Sequence, residues 1–396
     1  MTEQTVLVCG GGIGGLAAAL VLARQGHRVE VFEQSDAFRE IGAGIQIGPN
    51  AFRMFEHLGL TGAIDHVAYY PGNLYMRDVR TGEVVTRVPV SATAQGTFGY
   101  PYGVIYRVDL HAALLEACAA QPSVGLYTRA KLEHFTQDAN SVAVTLADGR
   151  RFQGAALIGA DGLWSTVRQQ IVADGAPRVS GHVAYRAVLP ASEVPRHLFS
   201  PDVVLWGGEK THLVHYPLRR GELFNLVAVF HSGLYEEGWN VFGDPHELHE
   251  RFADAVGPVR ELLGKIETWK MWVLCDREPV KEWSRGRVTL VGDAAHPMLQ
   301  YLAQGACMAI EDAVVLGAAL ERSRGDFAGA FLEYQRVRYL RTARVQLTSR
   351  FYGDIYHASG VTRELRNRLF QSGTESAGFA GLKWLYEGVD PNSVFA

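Results

Sequence analysis

Gly10-Gly11-Gly12-Ile13-Gly14-Gly15 stands between an apolar run, Thr5–Val8, and a stretch of small and aliphatic residues, Leu16–Gln25, that ends at Gly26. A β-run, a glycine turn and a helix-forming stretch in that order leave few folds open. His27–Glu33 follows as a second alternating run. Parallel neighbours need a crossover helix, so the segment reads as a βαβ unit of a parallel sheet with covered faces. The glycines allow a tight turn and close approach of backbone N–H groups to a pyrophosphate, whose charge is favoured at a helix N-terminus. Glu33 ends the second run near the ~20-residue spacing at which a carboxylate accepts from ribose hydroxyls. Dinucleotide binding through Gly10, Gly12, Gly15 and Glu33 follows, with NAD and FAD not yet distinguished.

The rest of the chain fits an α/β protein with a Rossmann-like domain. Val108–Ala119 has helical periodicity, Ser141–Leu146 alternates, and Ala155–Ile158 is an apolar strand ending in Gly159-Ala160-Asp161-Gly162. From His182 to about Trp272 the pattern is β-rich, with runs at His182–Val188, His212–Pro217 and Phe224–Phe230. Arg287–Val291 returns to a buried-strand pattern before Gly292-Asp293, and Gly305–Arg322 is a long helix candidate. The expected organisation is a discontinuous cofactor domain, 1–180 completed by 285–345, an inserted β-rich substrate domain, 181–284, and a helical C-terminal region, 346–396. The 38 basic and 42 acidic residues form no like-charge block, which disfavours nucleic acid. No apolar run approaches the ~18 residues of a membrane span, and the N-terminus lacks a signal-peptide pattern, so a cytoplasmic location is expected. Cys9, Cys118, Cys275 and Cys307 have no metal or CxxC spacing and read as reduced thiols; no metal is expected.

Three further segments narrow the cofactor. Tyr106-Arg107-Val108-Asp109-Leu110 opens a helix, and Gly159-Ala160-Asp161-Gly162-Leu163-Trp164-Ser165-Thr166-Val167-Arg168 follows a buried strand. Leu290-Val291-Gly292-Asp293-Ala294-Ala295-His296-Pro297 follows another. In this order after the glycine loop they resemble the fingerprints of the class A flavoprotein aromatic hydroxylases, over roughly residues 5 to 345. The resemblance implies one bound FAD, NADH or NADPH as a transient reductant, and dioxygen as co-substrate. It also implies that Asp293 holds the ribityl or pyrophosphate region and that the helix from Gly305 aims its N-terminus at the flavin ring. Arg107 would contact the FAD backbone, and Asp161 with Arg168 would serve FAD and the nicotinamide cofactor. Arg39 and Gly42-Ala43-Gly44-Ile45 resemble the loop that leads toward the flavin ring. A flavin dehydrogenase or reductase without oxygen insertion would share the glycine and GD segments. A homodimer is compatible with the sequence but not read from it.

Strand parity in Thr211–Pro217 puts His212, Val214 and Tyr216 on one face and Leu213 and His215 on the other, so His212 and Tyr216 are assigned to a pocket and His215 is not. Gln300 stands where many family members carry proline and brings an amide close to the expected flavin edge. With a phenol near pKa 10 and histidine near 6.5, full proton transfer to His212 would cost roughly 5 kcal/mol. A well-placed donor such as Gln300 offsets about 3–4 of that. The resemblance implies hydroxylation of a small phenolic acid. The combination of His212, Tyr216 and Gln300 resembles the members of that family that act on 3-hydroxybenzoate, which implies conversion of 3-hydroxybenzoate to 2,5-dihydroxybenzoate (gentisate). Decarboxylating hydroxylation of salicylate and 3-hydroxylation of 6-hydroxynicotinate are the alternatives.

Overall fold

The computed structural model describes residues 4–40, 42–233, 241–373 and 381–395; of the expected C-terminal region, 374–380 and 396 lie outside them. Strand β1 (Thr5–Cys9) leads through the glycine turn into helix α1 (Ile13–Arg24) and on to strand β2 (Arg28–Phe32). The apolar runs dictate this. Every residue of β1 after Thr5 is buried, and α1, rich in Ala and Leu, is buried on most of its surface, so it must be covered from several sides. The helices Arg107–Ala119 and Gly305–Ser323 do this. Gly317 lets the latter approach so closely that a Cβ there would lie 2.1 Å from Val21.

β1 is central in a six-stranded sheet, flanked in parallel by β2 and Ala156–Gly159. Val288–Leu290 pairs in parallel with Ala156–Gly159, so the late segment adds to the first sheet. A second, eight-stranded sheet is almost wholly antiparallel. Its centre is Arg178–Pro190, Leu223–His231 and Thr211–Leu218, but its far edge is Asn73–Asp78 and Val84–Pro89. These two strands fall inside the span expected to belong to the cofactor domain, because Asn73–Asp78 pairs in parallel with Val203–Gly208. The helix Phe327–Tyr356 likewise runs unbroken through the expected boundary at 345.

One face of the eight-stranded sheet packs Leu213, Phe224, Leu226, Ala228 and Phe230 against Leu248, Phe252, Val259, Leu262 and Leu263. The opposite face looks toward the first sheet and the helix from Gly305, and the large cavity lies between them. Among the described residues no helix is long and apolar enough to cross a membrane.

The helices Gly305–Ser323 and Phe327–Tyr356 are tied together by buried charge. Arg338, fully buried, donates to Asp312 Oδ1 at 2.7 Å and also holds Glu311, while Arg341 reaches Glu311 Oε1 at 2.7 Å. Asp312 Oδ2 accepts from the Gly292 N–H at 2.8 Å and from His296 Nε2 at 2.6 Å. Burial opposes the ionisation of Glu311, yet Arg341 and Arg338 more than offset it and hold the carboxyl down to about 2. A depressed carboxyl contributes stability that is complete above its ordinary value of 4.5 and is lost as pH falls through about 2. Arg338→Met leaves two buried carboxylates without this partner and should cost about 3–5 kcal/mol in urea unfolding, with acid unfolding beginning at higher pH. Wild-type stability of that variant would show that the pair is not what secures the two helices.

Candidate active site

The glycine loop is shaped by contact with the next strand. Gly10 has φ +110, and a Cβ there would lie 2.2 Å from the Ala160 carbonyl oxygen; one on Gly15 would lie 1.9 Å from the Gly10 oxygen. Both positions therefore admit only glycine. Gly12 differs: its Cβ would face the cavity, with Glu40 Oε1 the nearest atom at 3.8 Å. Glu33 accepts from the Gly11 N–H at 2.9 Å and the Ser35 N–H at 2.8 Å, which fixes the carboxylate beside the loop.

The cavity has a volume of 1370 Å³ and runs from this loop to the eight-stranded sheet. Drug-sized pockets occupy about 300–1,000 Å³, so a dinucleotide and a small substrate fit together. Gly10, Gly12, Glu33, Arg39, Arg107, Asp161, Asp293 and Gly305 all line it. Arg107 pairs with Glu40 at 3.0 Å, and Arg39 pairs with Asp36 on the exposed rim. The Asp293 side chain is open to the cavity, although burial by the surrounding protein raises its pKa. It is thus accessible to a ligand in the cavity. The 19-residue helix from Gly305 directs its positive N-terminal end into the same space.

Two expected cofactor residues, Gly15 and Arg168, are not among the lining residues, and Asp161 has a second role. Asp161 lines the cavity, but its carboxylate accepts from Ser165 Oγ, the Thr166 N–H at 2.7 Å and the Val167 N–H at 3.2 Å, so it also caps the short helix Thr166–Ile171. Arg168 is not among the lining residues. It is fully buried, paired with Asp174, and donates to the Ala294 and Ala295 carbonyls at 2.9 and 2.6 Å. There it braces the loop that carries Asp293.

At the other end the register of the eight-stranded sheet sets the wall. His212 pairs with Val229, Val214 with Val227 and Tyr216 with Asn225, and those three pair in turn with Ala184, Arg186 and Val188, three rows across three strands. His212, Val214, Tyr216 and Arg186 line the cavity. His215 points the other way, accepts from Trp206 Nε1 at 3.0 Å and does not line it, as parity required. Burial pushes His212 down to about 3, aided by His182, and raises Tyr216 above its usual value against the pull of Arg186. Both are neutral at pH 7.

Arg186 was missed, although it shares parity with His182 and Ala184 on a strand the sequence had marked. Burial lowers its guanidinium to about 10, so it stays charged at pH 7. It lies over Trp272 with 4.7 Å to the ring centroid and donates to the amide oxygen of Gln300, while its buried Nε has no hydrogen-bond partner among the described residues. A guanidinium only donates, so the Gln300 oxygen must face it and the amide NH2 is left for the cavity. His357, from the end of the helix Phe327–Tyr356, was also missed; it bonds His212 Nδ1 through Nε2 at 2.7 Å. No periodicity in its neighbourhood points to a strand on the far side of the fold.

Comparison with known proteins is consistent with this geometry. Residues 3–344 match the FAD binding domain family. The chain is 48% identical over 384 residues to 3-hydroxybenzoate 6-hydroxylase of Polaromonas naphthalenivorans (strain CJ2), covering 97% of this chain and 96% of that one. It is 45% identical over 391 residues to the protein of the same name from Klebsiella oxytoca, covering 98% of each. A Klebsiella pneumoniae protein solved with FAD and uric acid superposes with a TM-score of 0.86 at 28% identity, covering 97% of each chain.

Gly12→Val should keep the fold, since nothing in the chain crowds the new Cβ, and should fill space a pyrophosphate needs. Flavin retained after gel filtration should fall roughly tenfold or more, at least about 1.4 kcal/mol of binding, with an unchanged circular dichroism spectrum. Full flavin occupancy would place the pyrophosphate elsewhere.

Proposed function

This chain belongs to the FAD-binding-domain family and is an FAD-dependent aromatic monooxygenase, and from that premise we propose that it converts 3-hydroxybenzoate to 2,5-dihydroxybenzoate with NADH or NADPH and dioxygen. The observation that carries the reading is the wall formed by His212, Tyr216 and Gln300 with the buried cation Arg186 behind it. The flavin, when bound, supplies an electrophilic oxygen to a ring that must be electron-rich. The glycine loop, Glu33, Arg107, Asp293 and the helix N-terminus at Gly305 are the groups to hold it.

The protein's own part is to bind an anionic phenol and make its oxygen negative. Arg186 supplies counter-charge for the carboxylic acid substrate, and its partner Gln300 turns its NH2 toward the phenolic oxygen. His212 offers Nε2 as the acceptor for the phenol proton, because Nδ1 is engaged by His357. Tyr216, neutral at working pH, is a hydroxyl donor for the carboxylate. Burial changes the energetics expected from the sequence: with His212 at about 3 and a phenol near 10, storing the proton on this ring would cost on the order of 10 kcal/mol. Oxyanion donors offset about 3–4 kcal/mol each. His212 therefore passes the proton on rather than keeping it. A phenolate directs attack to its ortho and para positions, and the para carbon of 3-hydroxybenzoate is unsubstituted.

Product analysis with NADH, oxygen and a panel of hydroxybenzoates and hydroxynicotinates tests the substrate; catechol from salicylate with little turnover of 3-hydroxybenzoate would overturn it. His212→Ala and Gln300→Ala should each lower coupled hydroxylation at least tenfold, about 1.4 kcal/mol, and combine less than additively. His215→Ala should preserve turnover per bound flavin; a large loss there beside a silent His212→Ala would invert the assignment.

A further inference from the structure

Behind His212 lies a histidine cluster drawn from four separate segments. His212 Nδ1 is 2.7 Å from His357 Nε2, and His357 Nδ1 is 3.0 Å from His231 Nε2. His212 faces the cavity, His357 is buried, and His231 is half-buried at the end of the strand Leu223–His231. Lys210, Asp354 and Arg251 supply the charges felt at that outer end, and all three are exposed. His182 stacks on His231 at 4.0 Å and bonds the Tyr301 hydroxyl, while the Tyr301 and Tyr356 rings pack within 5.5 and 5.8 Å of His212. Aromatic rings thus wall the line of imidazoles along its length.

We infer that His212, His357 and His231 form a proton conduit that carries the phenol proton from the sheet end of the cavity to solvent. His357 uses both nitrogens, one toward each neighbour. The middle ring, with one hydrogen when neutral, must donate once and accept once, so the line is polar from end to end. In its receiving state His212 and His357 carry the proton on Nδ1, and His212 Nε2 presents a lone pair to the substrate. The phenol O–H breaks as the N–H on His212 Nε2 forms. The Nδ1 proton of His212 moves to His357 Nε2, that of His357 moves to His231 Nε2, and that of His231 leaves to water. One proton enters, one leaves, and no oxidant is needed. The burial that keeps all three rings neutral means none retains the proton, which suits transit rather than storage.

His182, His231 and His357 have ligating atoms within 4.8 Å of one another, as a metal site would. However, His182 and His231 are stacked with 28° between their planes. Near-parallel rings aim their lone pairs side by side, whereas a tetrahedral ion needs them to converge. The order His212, His357, His231 therefore describes the cluster better than coordination does.

The identity of the proton donor rests on the proposed phenolic substrate, so the test has one arm that needs no substrate. In the ligand-free holoenzyme with ¹⁵N-labelled histidine at pH 7, His212 and His357 should both be neutral with the proton on Nδ1. A charged His357, or one protonated on Nε2, would overturn the conduit whatever the substrate. In the second arm, His357→Gln, which keeps hydrogen-bonding capacity but breaks the imidazole line, should lower kcat for 3-hydroxybenzoate at least tenfold. KM and flavin occupancy should stay within about twofold. His231→Ala should lose less and recover with added imidazole, because that end is reachable from solvent. Unchanged kcat in His357→Gln would sink the proposal, as would stoichiometric Zn²⁺ in the purified holoenzyme. If wild type fails to turn over 3-hydroxybenzoate while the tautomers are as described, the substrate reading fails and the conduit stands.

Discussion

A guanidinium sealed away from water, Arg338, is held by two carboxylates on one helix, and the cofactor side of the molecule takes its shape from where those carboxylates point. Removing one member of a buried ion pair leaves an uncompensated charge and is strongly unfavourable, so the arrangement has few alternatives. Glu311 and Asp312 lie near the start of the helix from Gly305. Through Asp312 the same network grips the Gly292 N–H and His296, the two ends of the loop that carries Asp293. Through Glu311 it grips Asn50, which in turn reaches Gln304 at the cavity wall. Arg168 tightens the loop from the other side through the Ala294 and Ala295 carbonyls. A carboxylate open to the cavity and a helix N-terminus are thereby presented together without either being free to drift.

The eight-stranded sheet separates two kinds of environment by parity alone. One face is apolar and closed by helices, and it takes His215 as a hydrogen-bonded core residue. The other carries Arg186, His212 and Tyr216 into the cavity. A slip of one residue along Thr211–Leu218 would exchange His212 and Tyr216 for His215 and would empty the wall. Pairing on both sides, with Val203–Gly208 and with Leu223–His231, makes that slip costly.

Burial determines the charge state of that wall. The histidines are pushed down, the tyrosines up, and among the described residues of this wall Arg186 stays charged, so the sheet end of the cavity offers neutral donors and acceptors around one cation. Such a site favours an anion that can lose one more proton. It disfavours any mechanism in which an imidazole holds a proton for long, which is why the connection of His212 to His357 matters more than its own basicity.

Much of this could be read from the sequence. The glycine loop, Glu33, Asp293 and the helix from Gly305 were legible because cofactor binding depends on local turns and helix ends, which short motifs encode. His212, Tyr216 and the exclusion of His215 were legible because a strand's period of two sets facing. Arg186 was within reach of the same argument, but nothing local said which face of its strand met the cavity. What only the tertiary structure decided were contacts between segments distant in the chain. Asn73–Pro89 joined the second sheet, and Asp174 with two carbonyls took Arg168 out of the cavity. His357, arriving from the far end of a long helix, met His212 and His231. The pKa of His212 belongs with these, because desolvation depends on everything that surrounds a group, and its neighbours in sequence are only a small part of that.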